Sequence, residues 1–143
     1  MKKIPTVQSV MTPFPYSIEA GASLREGRHM MQSHDVRHLP VVRHRKLVGI
    51  LSDRDLKRAL DPSLGLPPKD ELFVDDVMIH DPYVVETTER LDNVLDEMAE
   101  ELIGCALIVR EGKLVGIFTT TDACREFANH LREGRTQDED EVA

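Results

Sequence analysis

Two short stretches place an acid three residues after a hydroxyl: Ser52-x-x-Asp55 in GILSDRD and Thr119-x-x-Asp122 in GIFTTTD. Neither holds a nucleophile beside a base, a metal cage or a phosphate loop. Two chemistries fit the pair. As an acidic capping box, the hydroxyl would cap a helix and the carboxylate would favour the positive end of its dipole. The same geometry also suits a ligand. A strand that turns at once into a helix leaves N–H groups pointing outward, where an anion can sit. A carboxylate in that first turn accepts two hydrogen bonds from a sugar diol, and the neighbouring hydroxyl donates or accepts. The combination suits a ribose whose phosphates lie toward a separate basic group. The two readings coexist, because a cap can also touch a ligand.

Other chemistry-bearing residues form weaker patterns. His34 and His38 straddle a helix-to-strand turn with no spaced carboxylate or cysteine partner, and Cys105 and Cys124 lack Cys-x-x-Cys spacing, so no metal is expected. Asp53 and Asp55 around Arg54 read as a charge-balanced helix start rather than a catalytic pair. Met30, Met31 and Met98 sit at core spacing. Hydrolase, kinase or transferase chemistry needs a positioned base or metal. None is assembled in the sequence, and the expectation is that the chain is not an enzyme and carries no catalytic cofactor.

Composition bounds the partners. The 143 residues carry a net charge of −8, and Asp138, Glu139, Asp140 and Glu141 supply four of the negative charges. An acidic chain lacks the basic footprint that drives phosphate-backbone binding, so no nucleic-acid partner is expected. No run approaches the roughly 20 apolar residues of a membrane span, and the N-terminal MKKIPTVQSV has no apolar stretch after its lysines. Two unspaced cysteines fit a reducing compartment, and a cytoplasmic location is expected.

The elements that would position the two acids repeat. At a fixed offset of 67 residues, Val10-Met11 aligns with Val77-Met78, Leu24 with Leu91, Met31 with Met98, Val41-Val42 with Ile108-Val109, and Gly49 with Gly116. An internal repeat decides architecture before any local reading does. Each copy reads as a brief strand (YSI; YVVE), a helix, a hairpin (HLPVV with KLVGILS; CALIV with KLVGIFT) and a closing helix that starts at the hydroxyl. In the first copy Ser23 and Glu26 open a helix that contains Gly27. In the second Leu91, Val94, Leu95, Met98 and Leu102 recur at helical spacing. The expected fold is α/β (α+β): two β-α-β-β-α repeats over 7–60 and 74–131, joined by a Pro-rich linker at 61–73 and followed by an acidic disordered tail at 132–143. About 60 residues bury too little alone, so the halves should share a core about a pseudo-twofold axis, with paired clefts.

The motifs VMTP, HLPVV, LVGILSDRDL, VM, CALIV and LVGIFTTTDA, in this order over Val7 to Leu131, resemble a tandem pair of CBS domains, the Bateman module. The resemblance implies adenosine-containing ligands in clefts between the repeats: AMP, ADP or ATP, and less often S-adenosylmethionine or NAD. It also implies a disc-like homodimer signalling to a partner protein that the sequence does not name. No second effector domain is expected; the alternative is a ligand-free dimerisation or docking scaffold. By position, the ribose contacts fall on Ser52, Asp55, Thr119 and Asp122. The Asp122 cleft would draw Thr12, Val36 and Arg37 from the first repeat. The Asp55 cleft would add His38 from its own repeat and Ile79, Ile103 and Gly104 from the second. Ile50 and Ile117 would lie against the base, and Arg37, His38 and Arg54 near the phosphates. The second repeat has Gly104, Cys105 and Ala106 where the first has its basic residues, so the two clefts should be unequal.

Overall fold

The computed structural model describes residues 3–64 and 72–142. The first repeat contains β2 (Ile18–Glu19), α1 (Leu24–His34), β3 (His38–Arg43), β4 (Lys46–Ser52) and α2 (Asp53–Ala59); the second contains β5 (Val84–Glu86), α4 (Leu91–Glu100), β6 (Cys105–Arg110), β7 (Lys113–Thr119) and α5 (Thr120–Val142). Each is preceded by a short leader: a 3₁₀ turn at Val7–Ser9 with β1 (Thr12–Pro13), and the four-residue α3 (Val74–Val77). The β-α-β-β-α order therefore occurs twice in a mixed α/β fold. Of the expected 61–73 linker, a 3₁₀ turn forms at Pro62–Leu64, while residues 65–71 lie outside the described residues.

Within each repeat the first strand pairs parallel to the second and the hairpin closes antiparallel, with Ile18 opposite Val41 and Val84 opposite Leu107. Both hairpins bulge at equivalent points, Val41/Val42 and Ile108/Val109. Their two-residue turns take positive φ at both positions: 52° and 67° at His44 and Arg45, 52° and 79° at Glu111 and Gly112. That is the turn geometry whose twist matches paired strands, and Gly112 adopts it without the steric cost borne by the other three. α1 is capped by Ser23, whose hydroxyl accepts from the Glu26 N–H. Gly27 has a packing reason: a Cβ there would sit 3.1 Å from Leu51 on β4, so its missing side chain lets helix and sheet close up.

The leaders cross over. Val7 is fully buried in the second repeat's core beside Leu91, Val94 and Phe118, while Val74 and Met78 are buried in the first repeat's core beside Leu24, Leu39 and Leu51. The backbone crosses likewise. β1 pairs with β7, Thr12 opposite Ile117, and Ile79 exchanges two hydrogen bonds with Ile50 on β4, at 3.0 and 2.9 Å. A third cluster of Ile50, Cys105, Leu107 and Ile117 lies between β4 and β7, where the sheets meet.

Two expectations need correction. Leu102 does not belong to the apolar stripe of α4: the helix ends at Glu100, and Leu102 lies beyond it with φ 56° and 92% exposure. The left-handed residue breaks the helical period, so the i+4 spacing from Met98 no longer puts it on the buried face. The second concerns the tail, which continues α5 as helix through Val142. The run from Arg132 holds no proline, and most of its residues are at least neutral helix formers; their charge does not end the helix.

Gly49 and Gly116 sit under the crossing leaders. A Cβ at Gly49 would lie 2.6 Å from the Ile79 carbonyl oxygen and 2.7 Å from the Met78 sulfur, and one at Gly116 would collide with the Met11 sulfur. Replacing Gly49 with Ala presses on the Ile79 backbone, which cannot swing aside, and costs about 1–3 kcal/mol, whereas at Gly116 the obstacle is the flexible Met11 side chain and the loss should be smaller. Urea unfolding should show the larger loss for Gly49→Ala, a smaller one for Gly116→Ala and none for Gly21→Ala, which lies in open space.

Candidate ligand site

Both Ser/Thr-x-x-Asp elements cap the helices they start. Ser52 Oγ accepts from the Asp55 N–H at 3.1 Å and donates to Asp55 Oδ2 at 2.7 Å. Thr119 Oγ1 accepts from the Asp122 N–H at 3.2 Å, and the Thr119 N–H donates to Asp122 Oδ2 at 2.9 Å. The structural half of the sequence reading is thus present in both copies. What separates them is what else reaches each carboxylate.

Asp122 is only 7% exposed and is surrounded by donors from its own chain. Besides the Thr119 N–H, it accepts from Thr119 Oγ1 at 3.1 Å, from Thr12 Oγ1 at 3.2 and 3.4 Å, and from Arg125 Nη1 at 3.4 Å. Thr12 arrives on the crossed leader, opposite Ile117. The position equivalent to Thr12 beside Asp55 is Ile79, which has no hydroxyl. Asp55 is correspondingly half-buried, Ser52 is its hydrogen-bonding partner, and its second carboxylate oxygen has none among the described residues.

Asp55 lines a cavity of about 910 Å³ built from both repeats. The first repeat contributes His38, Ile50, Ser52 and Arg54; the second contributes Ile79, Ile103, Gly104, Cys105, Leu107 and Thr120. Its volume falls within the range of small-molecule sites. The strand ends of the hairpins supply most of this wall, because β4 runs straight into α2 and the turn before β6 brings Ile103 and Gly104 across from it. His38 meets Gly104 closely: a Cβ on Gly104 would lie 3.2 Å from His38 Nε2. Burial pushes the His38 imidazole below its ordinary pKa, with Asp55 and Asp53 opposing that shift. Burial likewise raises the Cys105 thiol to about 12, which makes it a packing group rather than a nucleophile.

The structure thus gathers Ser52, Asp55, Arg54, His38, Ile50, Ile79, Ile103 and Gly104 around one cavity. Thr12, Thr119, Asp122 and Ile117 form a second group, joined by hydrogen bonds and strand pairing rather than lining that cavity. Val36 and Arg37 line a separate 340 Å³ hollow with Arg28, Asp35, Asp53 and Lys57, and Arg37 is not among the hydrogen-bonding partners of Asp122. His34 stacks on Tyr16, with centroids 3.6 Å apart, and no three metal-ligating side chains gather among the described residues. Asp81, Tyr83, Glu97, Glu101 and Leu102 also line the Asp55 cavity and were not among the sequence candidates. The only signal for them is that Glu97 and Glu101, four apart, share a helical edge beside the buried Val94 and Met98.

The comparisons agree with this architecture. A family model for the CBS domain matches residues 7–62 and 74–129, and the chain belongs to the CBS-domain family as a tandem pair. A candidate acetoin utilization protein from Vibrio cholerae has a similar structure, with TM-score 0.79 and 31% identity, over 94% of this chain and 98% of that one. The CBS domain pair of protein MJ0100, solved with 5′-methylthioadenosine and S-adenosyl-L-methionine, is 25% identical with TM-score 0.79, over 90% and 99%. CBSX2, solved with AMP, is 27% identical with TM-score 0.74, over 87% and 96%. Curated relatives that are enzymes share the region, and the chain spans 23% of the length of two of them. No helix among the described residues is long and apolar enough to cross a membrane.

The unequal acids give a stability prediction. Asp122→Ala would leave the Thr119 N–H and the Thr12 hydroxyl without their buried acceptor, at a cost of about 1–3 kcal/mol. Asp55→Ala removes a partner from Ser52, which water can replace, and should cost clearly less. Urea midpoints of the two variants compare them directly; equal losses would contradict the division of roles.

Proposed function

We propose that this chain is a regulatory module that takes an adenosine-containing ligand in the cavity under Asp55 and reports occupancy to another protein. The observation that carries the reading is the cavity itself, in which a half-buried acid with one unpartnered oxygen faces apolar walls drawn from both repeats. In this reading Asp55 and Ser52 hold the ribose diol. Ile50, Ile79 and Ile103 flank the base, and Arg54 and His38 lie toward the 5′ end. The bound AMP of CBSX2 and the bound adenosine derivatives of MJ0100 support the ligand class. Because its walls come from two repeats, an occupied cavity would stabilise one relative placement of the halves, a change that a docked protein could sense. Thr12, Thr119 and Asp122 are assigned to the fold, leaving one working cleft of the two.

Calorimetry with adenosine and AMP tests this reading. Asp55→Ala should weaken binding about 10- to 150-fold, the effect of losing a charge-assisted hydrogen bond of about 1.5–3 kcal/mol. Asp122→Ala should leave affinity near its original value. Failure of both ligands to bind would reduce the protein to a scaffold.

The scaffold reading has its own support, which is compatible with ligand binding. Phe127 and Leu131 on α5 are 63% and 56% exposed, and Leu95 and Leu102 add apolar surface. We propose that these residues pair two copies of the chain. Sedimentation should show a dimer at micromolar concentration, and Phe127→Asp with Leu131→Asp should give a 16.2 kDa monomer. A native chain that stays monomeric at high micromolar concentration would reject the pairing.

A further inference from the structure

The two repeats differ most where their helices meet solvent. The 340 Å³ hollow between α1 and α2 has apolar Met31, Val36, Leu56 and Leu60 in its lining. Of its charged groups, Lys57 is paired with Asp53 at 2.9 Å, which leaves Arg28 and Arg37 against the single acid Asp35. Neither arginine forms an ion pair among the described residues. The second repeat carries the opposite surface at the equivalent positions. Leu95 stands for Arg28, Leu102 for Asp35 and Phe127 for Leu60, and all three are exposed. No Lys, Arg or His occurs from Leu91 through Val109, and Asp96 and Glu101 stand beside Leu95 and Leu102 where the first repeat has His29 and His34. These two acids have no cationic partner among the described residues. Leu102 is the sharpest contrast. It and Asp35 both have left-handed backbones, φ 56° and 52°. Aspartate tolerates that conformation well; leucine does not, and Leu102 is exposed besides.

Resting on the pairing of copies given above, we propose that the pairing is head to tail: the apolar face of α4 and α5 on one copy seats in the α1–α2 hollow of a second, and the reverse contact forms alongside. Each copy carries one face of each kind, so two contacts close the assembly at a dimer. The exposed Leu102 and Phe127 enter a hollow with apolar lining, and its arginines meet the acids that flank those side chains. Pairing like with like does neither. Arg28 and Arg37 would then face their own counterparts, and Asp96 and Glu101 theirs, and like charges brought together oppose association. The arrangement also reaches the ligand cleft. Leu102 lines the Asp55 cavity, so the second copy covers one edge of that cavity.

Sedimentation of the full chain and of charge-neutralised variants tests the proposal. Asp96→Asn with Glu101→Gln lowers the net negative charge, so general repulsion between copies predicts a tighter dimer, as does like-with-like pairing. Head-to-tail pairing instead predicts a dimer about tenfold weaker, because both acids lose their partners in each of the two contacts. Arg28→Gln with Arg37→Gln should weaken the dimer by about as much. Arg45→Gln with Lys46→Gln, at the β3–β4 turn, removes the same charge and should leave it unchanged. High salt should shrink both losses, because the attraction is screened. A D96N/E101Q dimer as tight as the native one or tighter, or equal losses in the two cation variants, would overturn the head-to-tail order and leave the pairing itself standing. A native chain that stays monomeric removes the pairing and this arrangement with it.

Discussion

Val7 packs under the second repeat and Val74 under the first, and this exchange of leaders is the constraint on which the remaining structure depends. A repeat of about 60 residues buries too little surface to be secure alone. Here each core is completed by a fully buried valine from the other half, and each inner strand gains a partner from the other half's leader. Apolar burial and backbone pairing thus act at the same two crossings. The glycines at positions 49 and 116 exist for them, since any side chain there would occupy the space of Met78 or Met11. The repeated Gly in GILSDRD and GIFTTTD answers to packing before it answers to any ligand.

The same crossing makes the clefts differ. Each leader delivers one residue beside the opposite acid, and those residues are not alike. Thr12 brings a hydroxyl that donates to Asp122; Ile79 brings a hydrocarbon that leaves Asp55 with a spare oxygen. One substitution at a symmetry-related position turns a pair of similar sites into a structural capping cluster and a candidate ligand cleft. Symmetry of the fold therefore does not carry over into the surroundings of the two acids.

Much of this was legible in the residues. The 67-residue offset, the strand and helix order, and both capped helix starts follow from patterns that local physics enforces: hydrophobic period, turn chemistry and hydroxyl caps. The inequality of the clefts was also legible, though on other grounds, from the basic residues of the first repeat. The crossover was not. Val7 and Val74 carry the same apolar signal, and nothing local says which core each will enter, because only the distant partner differs. Leu102 misled because its spacing continues the stripe of α4 while its left-handed backbone ends it. Thr12 enters the sequence reading through the family resemblance, which says nothing of the hydrogen bond it donates to Asp122 from 110 residues away. Asp81 and Glu101 escaped notice because exposed acids on a loop and a helix end are ordinary until a cavity gathers them.

The exchanged leaders also set an order of events for a chain made from one end to the other. Domains generally fold as units as they emerge, the N-terminal one first. Here the first repeat cannot close its core until Met78 has been made, well after its own last helix. The leader at Val7, made before either repeat, has no core to enter until Phe118 exists. It must stay unpaired while both repeats are made, with its valine exposed, and dock across more than 100 residues of intervening chain. Contacts of such long sequence separation are the slow ones to form. The interval before they form is when this pair of repeats is most open to capture by chaperones, proteases or a leader from another copy of itself.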